Sequence, residues 1–185
     1  MLVPEPSALV VIDVQVGFDD PVWGPRNNPD CEANVASLIR VWRERRQSVV
    51  FVRHDSDEGS DSPLAPGQPG NDFKAAVQGQ PDLLVTKQVH SAFYGSPNLD
   101  EWLQERGVAA VVICGIATDH CCEITARIAG DLGYQTYFAL DATRAFDRMG
   151  PDGDTVSADE VCRASAASIH DEFATVVTTA DLVAG

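Results

Sequence analysis

Basic residues are scarce in this chain: 13 Lys and Arg stand against 28 Asp and Glu, a formal net charge of −15. Such an excess of negative charge repels phosphate backbones and anionic lipid headgroups, so neither nucleic acid nor a membrane surface is an expected partner. No run approaches the roughly 20 consecutive apolar residues that a membrane helix requires. The amino-terminal MLVPEPSALVV also lacks the basic region and cleavage site of a secretory leader, so a cytoplasmic location is expected. Cysteine is sparse and odd in number, five in 185 residues, with no Cys-x-x-Cys spacing. That argues against a disulfide framework and a thioredoxin-type redox pair, and a bridge between the adjacent Cys121 and Cys122 would be strained. With 44% hydrophobic residues the chain can bury one core without staples, and no internal repeat points to more than a single domain over 1–185.

What the chain has in quantity is short apolar runs alternating with helical ones. ALVVIDV (8–14), SVVFVR (48–53), LLVT (83–86), AAVVIC (109–114), YQTYFAL (134–140) and ATVVT (174–178) read as strands. Helical character is predicted for 32–46, 73–77, 99–106, 119–132 and 158–172. Continuous apolar strands separated by helices predict an α/β domain of doubly wound type, a six-stranded parallel sheet whose right-handed crossovers place helices on both faces.

In such sheets ligands bind outside the carboxyl ends of the strands, so the residues ending each strand carry the functional information. The first strand closes on Asp13, the second on Arg53 and His54, the third on Lys87 and the fifth on Asp141. The fourth leads through Gly115 to Cys121, where Thr118 or Asp119 is expected to N-cap a helix. A thiol in the first turn of a helix feels the positive end of the dipole and unpaired N–H groups, which favour thiolate. An acid, a cation and a thiol at one rim form the set that nucleophilic acyl chemistry requires.

The order LVVIDVQVGF (9–18), KQVHSAFYGS (87–96) and CGIATDHC (114–121) resembles the isochorismatase-like cysteine hydrolases, which include nicotinamidases, N-carbamoylsarcosine amidohydrolases and streptothricin hydrolases. By this resemblance Cys121 is the nucleophile, Asp13 the general acid/base and Lys87 the third member of a triad. The resemblance also implies a cis peptide between Ile116 and Ala117, with the N–H groups of Ala117 and Cys121 forming an oxyanion hole. It further implies a homo-oligomer, a dimer or larger.

Departures from the family bear on substrate. Nicotinamidases carry a metal-binding Asp-x-His and a second His downstream of the second strand, whereas VFVRHDSDEGSDSPLAPGQPG holds only His54. A solvated acidic loop is the expected reading of Asp55, Asp57, Glu58 and Asp61, and neither a catalytic metal nor another cofactor is expected. Phe18, Trp23, His54, Phe93, Tyr94, Ile116 and His120 fall near the strand ends and are the predicted substrate contacts. The irregular stretches 55–71 and 144–155 are placed to cover a pocket or meet another subunit. The leading function is cysteine-dependent hydrolysis of a C–N bond in a small amide, lactam or ureido compound. The alternatives are a vinyl-ether C–O hydrolase using Asp13 and Lys87 without covalent catalysis, and a non-catalytic small-molecule-binding module.

Overall fold

The computed structural model describes residues 3–184; Met1, Leu2 and Gly185, at the ends of the domain expected over 1–185, lie outside the described residues. Strands β1 (Ser7–Ile12), β2 (Ser48–His54), β3 (Leu83–Lys87), β4 (Ala110–Ile116) and β5 (Gln135–Arg144) are followed by a two-residue pair, β6 (Arg148–Met149) and β7 (Thr155–Val156), and by β8 (Thr175–Val177). Six of them form one all-parallel sheet in the order β3-β2-β1-β4-β5-β8, the doubly wound arrangement predicted from the alternating pattern. The β6–β7 pair is a separate antiparallel ribbon.

The sheet is dry on both faces because successive side chains of its strands alternate between two cores. Leu9 and Val11 of β1 join Val49, Phe51, Val112 and Cys114 beneath helix α1 (Cys31–Glu44) and the short α5 (Thr179–Val183). Ala8, Val10 and Ile12 join Val50, Val52, Val111 and Ile113 on the opposite face. That face is covered by α2 (Leu99–Glu105), α3 (Glu123–Asp131) and α4 (Ala158–Ile169), which contribute Leu99, Trp102, Leu103, Ala126 and Ile169. Capping is local and readable: Asn98 caps α2, and a Ser157/Glu160 box opens α4. Among the described residues no helix is long and apolar enough to cross a membrane.

Two expectations are corrected. The predicted helix over 73–77 is absent: Phe73 bridges to Gln15, and Lys74 N–H donates to the Val14 carbonyl. Five residues are too few to overcome helix nucleation, and the Phe73 ring is held edge-on against Phe51 instead. Strand β5 runs past Asp141, whose carboxylate accepts from the Thr179 N–H and hydroxyl and so anchors α5 rather than facing the strand-end rim.

Candidate active site

Four neighbouring strands, in the spatial order β3-β2-β1-β4, deliver Lys87, His54, Asp13 and Cys121 to one edge of the sheet. Asp13 follows the last residue of β1 with φ of 50°, a backbone region that few non-glycine residues enter. Gly115 is what lets β4 lie close to β1 here: it has φ of 128°, and a Cβ would collide with the carbonyl oxygen of its register partner Ile12.

Lys87 sits at the centre. Its Nζ donates to Asp13 Oδ2 at 2.6 Å and approaches His54 Nδ1 at 3.3 Å and Cys121 Sγ at 3.5 Å, so three neighbours match three ammonium donors. The side chains of Lys87 and Asp13 are both completely buried. Burial opposes the Lys87 charge, but Asp13 and Cys121 outweigh it and hold its pKa above the ordinary lysine value. The other carboxylate oxygen, Asp13 Oδ1, is buried with no hydrogen-bond partner.

Cys121 does not sit at the start of an ordinary α-helix. Residues Thr118–Cys122 form a π-helical turn that leads into α3, with the Ala117 carbonyl accepting from the N–H groups of His120 and Cys122. Neither expected cap acts as one: Thr118 donates to Thr143 Oγ1, and Asp119 holds Arg148. The expected thiolate is also corrected. Burial pushes the Cys121 pKa well up, Asp13 pushes it further, and the opposing pull of Lys87 does not compensate. The Ile116–Ala117 peptide is cis.

The thiol lies in a cavity of about 210 Å³ with two unlike walls. The apolar wall consists of Phe18, Trp23, Leu64 and Phe146; the rings of Phe18, Trp23 and Phe146 lie 5.0 to 6.2 Å apart, and the Trp23 indole N–H is fixed on the Gly17 carbonyl. The polar wall brings together His54, Glu58, His90, His120 and Arg148. Arg148 grips Asp119 through two hydrogen bonds at 2.8 and 3.2 Å and reaches His120 Nδ1 at 3.0 Å. A larger, shallower depression of about 610 Å³ beside Val16, Asp19 and Asp61 contains none of Asp13, Lys87 and Cys121.

Of the predicted contacts, Phe18, Trp23, His54 and His120 line the cavity with Ala117 and Cys121. Phe93 is instead buried and stacked against Tyr134, Tyr94 is 72% exposed, and Ile116 is in the core. Sequence reasoning missed Ser56, Glu58, Ser62, Leu64, His90, Phe146 and Arg148, although both irregular stretches were placed at the rim. Leu64 was the available signal, a lone leucine in the polar 55–71 stretch. That loop is fastened by Gln15, whose side chain exchanges hydrogen bonds with the His54 backbone and donates to the Asn71 carbonyl, and by Asn71, which reaches Leu64. Gly70 packs so closely on Pro63 and Gly17 that a Cβ would not fit. Among the described residues no group of three or more His, Cys, Asp or Glu is arranged to hold a metal ion.

A parallel sheet with an acid, a lysine and a thiol converging on a small cavity defines a hydrolase of a recognisable kind. The isochorismatase domain model matches residues 7–181. The isochorismatase family protein YrdC of Bacillus subtilis is 38% identical over 97% of this chain and 95% of its own length. Nicotinamidase 3 of Arabidopsis thaliana is 32% identical over 76% of the chain and 74% of its own length, and a streptothricin hydrolase of Streptomyces noursei is 28% identical over 90% and 60%. The crystal structure of an isochorismatase-family protein from Chromobacterium violaceum superposes with a TM-score of 0.93, at 38% identity, over 99% of this chain and 94% of that one. The chain belongs to the isochorismatase family of hydrolases.

Proposed function

We propose that the protein is a cysteine-dependent hydrolase cleaving a C–N bond in a small amide, lactam or ureido compound. The observation that carries this reading is the buried contact of Lys87 with both Asp13 and Cys121 beneath the cavity that Cys121 lines. Asp13 takes the thiol proton as Sγ attacks the carbonyl carbon, and the negative charge moves to the carbonyl oxygen. The N–H groups of Ala117 and Cys121 serve as oxyanion donors, each worth about 3 kcal/mol of barrier. Collapse of the intermediate breaks the C–N bond, Asp13 returns its proton to the leaving nitrogen, and water hydrolyses the Cys121 thioester. A neutral resting thiol suits this scheme, because proton transfer then accompanies attack and Lys87 stays opposite one negative charge throughout.

The cavity volume supports a compact substrate, with its flat apolar part against Phe18, Trp23 and Phe146 and its polar part towards His54 and His120. The names of the nicotinamidase and streptothricin hydrolase relatives are compatible with amide or lactam chemistry. The test is a panel of small amides, lactams and ureido compounds with acid quenching. Cleavage with an acyl mass on the Cys121 peptide, diverted to hydroxamate by hydroxylamine, is expected. Turnover by Cys121→Ser with no adduct in the wild type would instead assign the protein to acid/base hydrolysis, including cleavage of a vinyl ether.

A further inference from the structure

Asp13 approaches the thiol from inside the sheet, where no water reaches it. The cavity lining holds three histidines with unequal surroundings. His54 has the Lys87 ammonium at its Nδ1, and His120 has the Arg148 guanidinium at its Nδ1. Both partners only donate, so each Nδ1 is an acceptor and each ring is the neutral Nε2–H tautomer. Burial first, and then the neighbouring cation, hold both rings below the ordinary histidine pKa; the Asp119 carboxylate beside His120 opposes this without reversing it. His90 differs: its Nδ1 lies 3.7 Å from Cys121 Sγ, and its ring lies 5.5 Å from that of His120.

That approach is built into the chain. Thr86 and Ser96 exchange backbone hydrogen bonds at 2.9 and 2.8 Å and close the loop that carries His90. Two residues beyond His90, the Ala92 N–H donates to Thr125 Oγ1, which donates to the Cys121 carbonyl at 2.6 Å. The loop is thereby tied to the turn that holds the nucleophile.

We infer that His90 is a second catalytic base, serving the deacylation half of the reaction; this rests on the cysteine-hydrolase reading above. Water entering from the exposed side gives a proton to His90 as its oxygen attacks the thioester carbonyl. The tetrahedral intermediate then expels Sγ, the C–S bond breaks, and the imidazolium returns the proton to sulfur. The products are a carboxylic acid and the free thiol, with His90 neutral again. Asp13 keeps the acylation half.

The test uses the full chain and p-nitrophenyl acetate as a reactive acetyl probe. Wild type should show a burst of p-nitrophenolate and then steady turnover, with an acetyl group on the Cys121 peptide after acid quenching. His90→Gln should keep the burst while its steady phase slows roughly 100-fold or more and acetyl-Cys121 persists. Imidazole added to His90→Ala should speed the release of that acetyl group. Unchanged deacylation in both variants, or a slowing that imidazole does not relieve, overturns the role of His90 and leaves the cysteine reading intact. Loss of the burst in His90→Gln would move His90 to acylation and overturn the division between the bases. No burst and no acetyl-Cys121 in wild type overturns the cysteine reading itself, and the role of His90 falls with it.

Discussion

The floor and the walls of the cavity are made of different material. The floor is Cys121, 6% exposed on a turn fused to β4, backed by Asp13 and Lys87, whose side chains are fully buried at the ends of sheet strands. The walls come from a 3₁₀ turn (Trp23), from the 55–71 loop (Glu58 and Leu64) and from the segment beyond β5 (Phe146 and Arg148). A charge pair is affordable in a dry interior only where its partners are held in place, and the sheet does this. Loops carried on such a frame can change with little effect on the core, so substitutions in the two regions should have different consequences.

Substitutions on the floor offer the severest challenge to that division. Cys121→Ala, Asp13→Asn and Lys87→Met should each lower kcat/KM by roughly 10³-fold or more, and pairs of them should be little worse than the worst single change, because the three groups act together. Lys87→Met should also cost about 3 kcal/mol of stability in a denaturant titration, since it leaves the Asp13 carboxylate buried without its cation. Cleanly additive losses would show that the three do not form one unit.

Wall substitutions should look different. Phe146→Ala removes one ring of the aromatic group, and Arg148→Ala frees both Asp119 and His120. Each should raise KM about tenfold and change kcat much less, the mark of binding that substrate and transition state share. Steady-state kinetics on one hydrolysed amide would decide it. A loss in kcat as deep as that of the floor variants would erase the distinction.

The same division governs what could be read from sequence. The floor was legible because buried strands leave continuous apolar runs, and a charged residue ending such a run has few structural reasons to be there: Asp13 after LVVI and Lys87 after LLVT stand out. The walls were not, because loop residues obey no period. Arg148 owes its place to a grip on Asp119 that is 29 positions away in the chain. Phe93 and Tyr94 were drawn to the site by nearness to Lys87, but the 3₁₀ turn Ala92–Tyr94 sends one ring into the core and leaves the other in solvent. The short α5 went unrecognised although its Thr178/Asp181 capping box was present, since only five residues follow the cap. The surroundings of the thiol were not legible for a different reason: the dipole argument took account of the helix start, whereas burial and then Asp13 push the thiol pKa up.

That last point can be turned into a measurement on the floor alone. If Asp13 helps to keep the Cys121 proton in place, Asp13→Asn should lower the thiol pKa while Lys87 remains beside it. Iodoacetamide labelling of Cys121 near neutral pH should then become several-fold faster in a variant that has lost its hydrolytic activity, a shift of under one unit in pKa being enough. Fragment-ion sequencing of the 107–127 tryptic peptide, which carries Cys114, Cys121 and Cys122 together, assigns the label to Cys121. Slower labelling in Asp13→Asn would mean that the carboxylate assists ionisation rather than opposing it.

The smallest effect expected is at His54, where floor and wall meet. Its ring is half-buried, and burial, then the Lys87 charge, depress its pKa below 6.5. The unfolded chain therefore takes up a proton at this position before the folded one does, so the folded state binds fewer protons in the window from the depressed value up to about 6.5. Stability should rise with pH through that window and be lost on acidification, the penalty being complete below the folded pKa. His54→Gln removes the titration while keeping an oxygen able to accept from Lys87. Its melting temperature should consequently fall less than that of wild type between neutral pH and pH 5, by about 1–2 °C in a chain of this length. Parallel curves for the two proteins would mean that the His54 ring is protonated as readily in the folded state as in the unfolded one, and that Lys87 does not hold it neutral.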